Sequence, residues 1–416
     1  MVTTVLENSD PAVVGSATSA RRAAFCLGAI TFVSMLPVTM LVAPLKELIA
    51  VRYHVGPFWT HSFMSVNMIG AVLAAPFMGA VADRRGVRKR VAMTALALDA
   101  LCLAAMSFAP TFRAILALRL LEGAAHVLAL STLMAIAAGL APAKRRGQMM
   151  GIIGACLMLG TACGTRLGGR VWLMAGEWSF AVAGAVSGLA TLAVLVFVAE
   201  PRSAVESRAG RRQAFQLIRR HPRLVVPFAY ALIDRLCVGV VITTFVLFLA
   251  NVHALNPDDR GKLLGLYFLL PFALLVYPAG RLVDRIGRAW PIAMGSIAFG
   301  FFFASYGYLP PAWLPPVMLA SGVASAIMFA PNLALCADLA PDEERGAAYA
   351  GFNAAGSLGF VLGPLLAGAT YALCAAHWPP ATAYRLTFLA TGMTEVLCAA
   401  ITLPMLLKLK RQGVIR

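Results

Sequence analysis

Apolar stretches long enough to cross a lipid bilayer recur along the whole chain, separated by short polar segments. A hydrocarbon core about 30 Å thick requires about 20 mainly apolar residues in a helix. The pattern predicts an all-α membrane protein with twelve transmembrane helices. The predicted spans are 23–50, 58–82, 91–109, 112–140, 148–174, 178–199, 223–251, 260–284, 290–308, 313–340, 347–375 and 382–407.

Composition supports this assignment. The 416 residues are 60% hydrophobic and only 13% charged, with a mean hydropathy of +0.80, whereas a soluble domain of this length needs more charge on its surface. The apolar stretch after the polar N-terminal tail is too long for a signal-peptide core, so we expect it to remain as the first span. The eight cysteines fall inside predicted spans without metal-type spacing, and we expect reduced, structural thiols.

The formal net charge of +17 does not indicate a nucleic-acid partner, because the basic residues gather in alternate loops. The positive-inside rule places these loops, the 201–222 linker and both termini in the cytoplasm. We therefore expect an integral protein of the bacterial inner (plasma) membrane. The basic linker either binds anionic lipid headgroups or is only a solvated connector, and the sequence leaves both alternatives open.

The chain repeats itself at an interval of roughly two hundred residues. LAPAKRRGQMMGIIGACLMLGTACGTRLGG, from Leu140 to Gly169, is matched by LAPDEERGAAYAGFNAAGSLGFVLGPLLAG, from Leu339 to Gly368. The repeat predicts an N-terminal six-helix bundle at 1–200, a linker at 201–222 and a C-terminal six-helix bundle at 223–416. Since many membrane transporters are built from internal repeats, transport is the first hypothesis.

Two loops in matching positions of the halves carry glycines, an aspartate and basic residues. Glycine allows helices to approach closely, and an aspartate flanked by arginines can form a charge-assisted clamp. The loops resemble the signature loop of the major facilitator superfamily, which implies two six-helix bundles around a central cavity with alternating access. The residues of the two gating motifs are Gly79, Asp83, Arg84, Gly86, Arg88 and Lys89, then Gly280, Asp284, Arg285, Gly287 and Arg288.

Charged residues inside the fourth predicted span are the first candidates for a solute and proton pathway. Arg119, Glu122 and His126 are spaced to share one helix face, and ionisable residues at membrane depth usually face a cavity or a partner. Arg119, Glu122 and Gly123 resemble an Arg-x-x-Gln-Gly element of the family, with glutamate in place of glutamine. Glu122 is either a proton carrier that pairs with Arg119 when ionised or half of a static ion pair.

Small residues on spans 5 and 11 resemble the family's antiporter motif and also suit simple helix packing. The motif's central proline is retained on span 11 and replaced on span 5 by Thr165, which Arg166 follows. Arg166 either lines the cavity, where it would favour an anionic solute, or extends to the membrane surface. The packing residues are Gly160, Gly164, Gly168, Gly359, Gly363, Pro364 and Gly368.

The second half contributes Asp234 and Arg235 on span 7. Adjacent helix residues point about 100° apart, so we expect them not to be simple partners and one of them to face the cavity. Asp234 is a second candidate proton site, with a packing role as the alternative. Asp338 is expected to be a gate residue that pairs with Arg281, Arg285 or Arg345. Asp99 and Glu395 lie on spans 3 and 12, which the family resemblance places at the periphery, and we expect structural roles for them.

The sequence predicts a secondary active transporter that moves a small organic solute by alternating access, most simply by proton-coupled efflux. Proton-linked uptake of an organic anion is the alternative, and a non-transporting membrane receptor or scaffold is a third. We expect protons and membrane lipid as partners, no nucleic acid and a monomer. The sequence holds no nucleophile–base pair, metal cluster or phosphate-binding loop, so we expect neither an enzyme nor a cofactor.

Overall fold

The computed structural model describes residues 11–82, 87–140, 146–198, 217–341 and 344–415. Side chains are described for residues 24–74, 87–140, 149–198, 217–282, 285–341 and 344–415. Almost all of the described chain is helical. All eight cysteines are free, as predicted.

The first half contains six long helices among its described residues. The first ends at Met40 because Pro44 lacks an amide hydrogen, and its ring would clash with the carbonyl of residue 40. The chain then turns and continues as a π-helical segment, Lys46–Val51, so the first predicted span is two pieces. The helices are α1 (Pro11–Met40), α2 (Pro57–Ala82), α3 (Arg88–Met106), α4 (Phe112–Leu140), α5 (Arg146–Ala175) and α6 (Ser179–Phe197).

The described part of the second half also contains six long helices, two of which include π-helical turns. α7 runs over Pro222–Asn251 with a π segment at Val241–Phe245. α8 begins with Pro257–Lys262, passes through a π segment at Leu263–Leu269 and ends with Leu270–Ile286. The remaining helices are α9 (Ala289–Ser305), α10 (Leu314–Asp338), α11 (Arg345–Ala375) and α12 (Pro380–Arg411).

Helix contacts group α1–α6 together and α7–α12 together. Within the first group α5 packs on α1 and α2 packs on α4; within the second α11 packs on α7 and α12 on α9. The two groups meet chiefly where α2 contacts α11 and where α5 contacts α8. These two pairs supply most of the helix contacts between the halves.

The hydrophobic cores show that the halves are closed together at one end. The largest core cluster combines first-half residues such as Leu45 and Phe63 with second-half residues such as Phe248 and Tyr384. The other core clusters of the described residues each belong to a single half, near Ala92 and Ile136 in the first and near Ile292 and Phe352 in the second. We call the end with the shared core the closed end.

The outer surface is apolar, as a lipid-facing surface must be. Phe25, Leu101, Met174, Leu373 and Ile401 are all more than two-thirds exposed. Eight helical stretches of the described residues are long and apolar enough to cross a membrane, one of which, Met149–Phe197, includes most of α5 together with α6. Exposed apolar side chains of this number would be unfavourable in water and are stable in lipid.

Candidate functional site

The centre of the first half contains a fully buried ion pair. Arg119 Nη1 lies 2.9 Å from Glu122 Oε2 on α4, and Asn67 Nδ2 on α2 donates to the same oxygen at 2.5 Å. Arg119 also lies over the ring of Phe63, 5.4 Å from its centroid. A buried guanidinium is tolerated only with such compensation.

A glycine makes this arrangement possible. Any side chain at Gly123 would overlap the backbone of Asn67, so the glycine lets α2 and α4 approach closely enough for the amide of Asn67 to reach Glu122. Sequence reasoning identified Gly123 within the family element but missed Asn67, because an uncharged amide on a different helix has no spacing relation to Glu122. A polar amide in an apolar span was the available signal.

His126 lies one turn further along α4 and connects the cavity to α3. Its Nδ1 atom is 3.7 Å from Asp99 Oδ1, and neither of its ring nitrogens has a hydrogen-bond partner among the described residues. Asp99 is fully buried and accepts a hydrogen bond from Ser187 of α6 at 2.5 Å. Asp99 thus belongs to the same polar cluster as Glu122. The sequence had suggested only a structural role at the periphery for Asp99.

The second half has its own acid–base pair, and here one prediction was wrong. Arg235 Nε lies 3.6 Å from Asp234 Oδ2, so the neighbours do interact, because the long arginine side chain can bend back. Both residues line the cavity, whereas the sequence had led us to expect one of them there. The Arg235 guanidinium lies between two rings, 4.9 Å from the centroid of Phe329 and 5.5 Å from that of Phe360.

A cavity of about 250 Å³ separates the two pairs. Its walls come from α1, α2, α4 and α5 on one side and from α7, α8, α10 and α11 on the other. The lining is mainly apolar, with four methionines, which adapt to irregular shapes: Met35, Met64, Met68 and Met158. Arg119, His126, Asp234 and Arg235 contribute its titratable groups, whereas Glu122 lies behind Arg119 and is not part of the wall.

Arg166 is not in the cavity, which corrects one of the two expectations for it. Its Nη1 atom forms an ion pair with Asp258 at the start of α8, and Thr165 lines the cavity instead. Among the described residues, the arginine that pairs with Glu122 is therefore Arg119. Sequence reasoning did not find Asp258, since the two residues are 92 positions apart and only the fold brings them together.

Further contacts join the halves at the closed end. Arg260 is buried and donates to Glu47 at 2.5 Å and to the carbonyl of Ala43 at 2.9 Å. Lys46 Nζ lies 3.4 Å from the carbonyl oxygen of Ala250. None of these residues was a candidate in the sequence, because only the fold brings the two ends of these contacts together.

The glycines of α5 and α11 lie where helices approach each other closely. A Cβ atom at Gly160, Gly164 or Gly168 would overlap residues of α1, and one at Gly359 or Gly363 would overlap α7. Pro364 of α11 lies against Gly239 of α7 and also lines the cavity. Gly368 faces Phe58 and His61 of α2, and Gly169 faces Pro257 and Asp258 of α8. The repeated glycines therefore serve the same purpose in both halves.

The gating motifs are only partly within the described residues. Asp83, Arg84 and Gly86 lie outside them, and only the backbone is described for Gly79 in α2 and Asp284 in α8. Arg88 is buried at the start of α3.

Asp338 pairs with Arg288, at 3.0 Å, an arginine that was not among the three expected. Arg345 instead donates to the Ala337 carbonyl at 3.3 Å, and Arg281 lies over Tyr277. Arg285 is exposed, and Gly287 adopts a φ of 91°, which favours glycine.

Two helix bundles around a charged central cavity define a membrane transport protein. The sequence profile of the Major Facilitator Superfamily matches residues 27–256 and 228–413, and the chain belongs to this family. It is therefore an integral membrane protein and a secondary transporter, not an enzyme.

Named relatives and solved structures agree. The chain is 24% identical over 345 residues to the class G tetracycline resistance protein of Vibrio anguillarum, covering 80% of this chain and 85% of the relative. It is 25% identical over 336 residues to a multi-drug resistance efflux pump, the PmrA homolog of Lactococcus lactis subsp. lactis (strain IL1403), covering 73% and 76%.

Among solved structures, a bacterial homolog of the human lysosomal transporter Spinster, in an inward-facing and unoccupied conformation, matches with a TM-score of 0.76 and 16% identity. The match covers 96% of this chain and 98% of that one. The nucleoside transporter NupG matches with a TM-score of 0.76 and 15% identity, covering 93% and 99%. At these identities the likeness establishes the fold.

Proposed function

We propose that the protein exports small, largely apolar organic solutes in exchange for protons. The observation that carries the proposal is a mainly apolar cavity between the halves whose only described charged lining consists of Arg119, Asp234 and Arg235. Relatives with 24% and 25% identity are named for tetracycline resistance and multidrug efflux, which supports this solute class and direction.

The proposed topology has twelve spans, formed by α1–α12, with both termini and the 201–222 linker in the cytoplasm of a bacterial inner membrane. Basic residues at 202–223 and 408–416 support this orientation. The closed end then faces the periplasm, and the cavity is accessible from the cytoplasm. Alternating access would open the α2–α11 and α5–α8 contacts and close the opposite end, with residues 1–200 and 223–416 moving as two bodies.

Charge compensation links a proton to the solute. When Asp234 is ionised it holds Arg235 at its own side chain; protonation would remove that attraction and leave the guanidinium free to bind other groups. Glu122 stands in the same relation to Arg119. Loading a proton therefore changes the charge of the cavity wall, which is the differential interaction that coupling requires.

Methionine-rich, apolar walls suit an amphipathic solute that is neutral or zwitterionic, because each arginine already has a carboxylate partner. Uptake of an organic anion by proton symport is the second candidate. It is favoured by Arg235, which lines the cavity between two aromatic rings and can bind a carboxylate in two-pronged fashion once Asp234 is protonated. We further propose that the protein works as a monomer and that its basic linker contacts anionic lipid.

Proteoliposomes with an imposed pH gradient distinguish the two candidates. The purified full chain is reconstituted and tested with tetracycline, a lipophilic cation and benzoate. Antiport predicts that solute accumulates when the lumen is acidic, and symport predicts accumulation when the lumen is alkaline. Protein-free liposomes correct for passive distribution of weak acids and bases.

The matched variants are Glu122→Gln, which should abolish gradient-driven accumulation while exchange continues, and Glu177→Gln. Glu177 is 64% exposed and lies outside the cavity, so its substitution should have no effect. Accumulation of no solute in either gradient would reject both candidates. Full gradient-driven accumulation by Glu122→Gln would reject this residue as the coupling group.

A further inference from the structure

Besides the acid that pairs with arginine, each half contains a second buried carboxyl group, Asp99 or Glu395, and no arginine or lysine among the described residues forms an ion pair with it. We infer that Asp99 and Glu395 are proton-binding sites, one in each half, and that each half holds one proton at neutral pH. The inference concerns where protons reside, and it stands without the direction or the substrate proposed above.

In the first half, hydrogen bonds leave one oxygen of each acid without a donor. Ser187 donates a hydrogen bond to Asp99 Oδ2, and Asn67 and Arg119 both donate to Glu122 Oε2. Asp99 Oδ1 and Glu122 Oε1 are buried and have no donor among the described residues. The two carboxyl groups interact electrostatically. A proton on one of them would supply a donor that the pair lacks, whereas two carboxylates would repel.

The second half repeats the arrangement with the residue types exchanged. Ser296 of α9 donates to Glu395 Oε2 of α12, while Asp99 and Ser187 occupy α3 and α6. The third and sixth helices of each half thus carry one acid and one serine in opposite order. Glu395 Oε1 and Asp234 Oδ1 are buried without a donor among the described residues, and Asp234 interacts electrostatically with Glu395.

The surroundings of each acid explain why ionisation is unfavourable. Asp99 faces Arg119, Glu122 and His126 from α4 and Ser187 from α6, with Cys102 on its own helix. Glu395 faces groups from α7 and α9, and the described residues provide no ion pair for it. Those groups are Tyr230, Asp234, Cys237 and Ser296, with Cys398 on its own helix.

Charge counting gives the same answer in both halves. The first contains one arginine, Arg119, and two carboxyl groups; the second contains Arg235 and two carboxyl groups. One proton in each half makes each cluster neutral. An uncompensated carboxylate in a dry interior is so costly that such a group takes up a proton instead.

The two proton sites have different connections to the cavity. His126 lines the cavity and approaches Asp99 with Nδ1 at 3.7 Å, so its ring is positioned to pass a proton inward to the first cluster. In the second half Asp234 itself lines the cavity and interacts electrostatically with Glu395. Use of either proton in transport rests on the proposed function.

Infrared spectroscopy tests the inference directly, because a protonated carboxyl group has a carbonyl band that a carboxylate lacks and that shifts in deuterated water. Purified full-length protein at neutral pH should show such bands. Asp99→Asn should remove one component and Glu395→Gln another, while Glu177→Gln, which alters an exposed acid, should remove none.

Two further variants keep the test informative if an acid variant does not fold. Ser187→Ala and Ser296→Ala should shift the corresponding band without removing it, because the carbonyl loses a hydrogen bond but keeps its proton. Absence of protonated carboxyl bands at neutral pH would overturn the inference. So would a spectrum that neither acid variant changes. Failure of every transport assay would leave this result untouched.

Discussion

Arg119 illustrates how a charge is kept in the interior of this protein. Its side chain is almost completely inaccessible to solvent. Glu122, the sulfur of Met64 and the ring of Phe63 surround the guanidinium in place of water. Removing one partner of a buried ion pair leaves a charge without compensation, which typically costs roughly 3–5 kcal/mol. Removing both partners together leaves no such charge.

We therefore expect Arg119→Met to lower the free energy of unfolding by up to roughly 3–5 kcal/mol. The loss is smaller if Glu122 binds a proton and so becomes neutral. The double variant Arg119→Met, Glu122→Leu should recover much of that loss. Thermal unfolding of the detergent-purified variants measures both effects, with Glu122→Leu completing the cycle. Strictly additive losses would show that the two side chains do not depend on each other.

Single-residue chemistry was partly predictable. Arg119, Glu122 and His126 could be grouped because residues three and four positions apart on a helix share one face. Partners from other helices could not be found this way: Asn67 for Glu122, Asp258 for Arg166 and Arg288 for Asp338 all come from tertiary contacts. The Asp234–Arg235 contact was missed for another reason, since helix geometry fixes Cβ directions and not the reach of a long side chain.

At the scale of helices, glycines set the closest approaches. A Cβ atom at Gly164 would overlap Thr39 and Leu36 of α1, whereas the same atom at Gly151, also on α5, would have no neighbour within 4 Å. Replacing glycine with alanine at these two positions of α5 therefore distinguishes the effect of helix packing from the effect of helix propensity.

Gly164→Ala should destabilise the protein by about 1–3 kcal/mol through overpacking. Gly151→Ala should leave stability unchanged or raise it slightly, because alanine favours the helix. Thermal unfolding in one detergent compares the two. Equal unfolding temperatures for both variants would contradict close packing of α5 on α1.

Helix bounds were largely predictable because apolar length is set by the bilayer. Span 58–82 corresponds to Pro57–Ala82, and span 112–140 to Phe112–Leu140. The first span differed, because Pro44 ends the regular helix at Met40. The π segments of α7 and α8 were not predicted either, because their sequences are as apolar as the regular turns around them.

For the whole molecule, the described contacts between halves at the closed end include Arg166–Asp258. Arg170 lies on the same helix but is 69% exposed, with Nε 4.0 Å from the same carboxylate. A hydrogen-bonded charge is worth about 1.5–3 kcal/mol, enough to change an opening equilibrium about tenfold or more. Arg170 should contribute little, because exposed pairs are weak.

Arg166→Gln should therefore favour opening of the closed end, and Arg170→Gln should not. Spin labels at Trp59→Cys and Trp378→Cys, both exposed positions on opposite halves, report the separation once the native cysteines are replaced. Longer distances are expected in Arg166→Gln alone. Identical distributions in the two variants would mean that the ion pair does not stabilise this state.

The central claim is that solute and proton movements are obligatorily linked. The most direct measurement records lumenal pH in proteoliposomes while a transported solute flows inward down its gradient. Antiport predicts that the lumen becomes alkaline as protons leave, and that the double variant Glu122→Gln, Asp234→Asn abolishes this change. Measurable solute flux through the unmodified protein without any change in lumenal pH would contradict the claim.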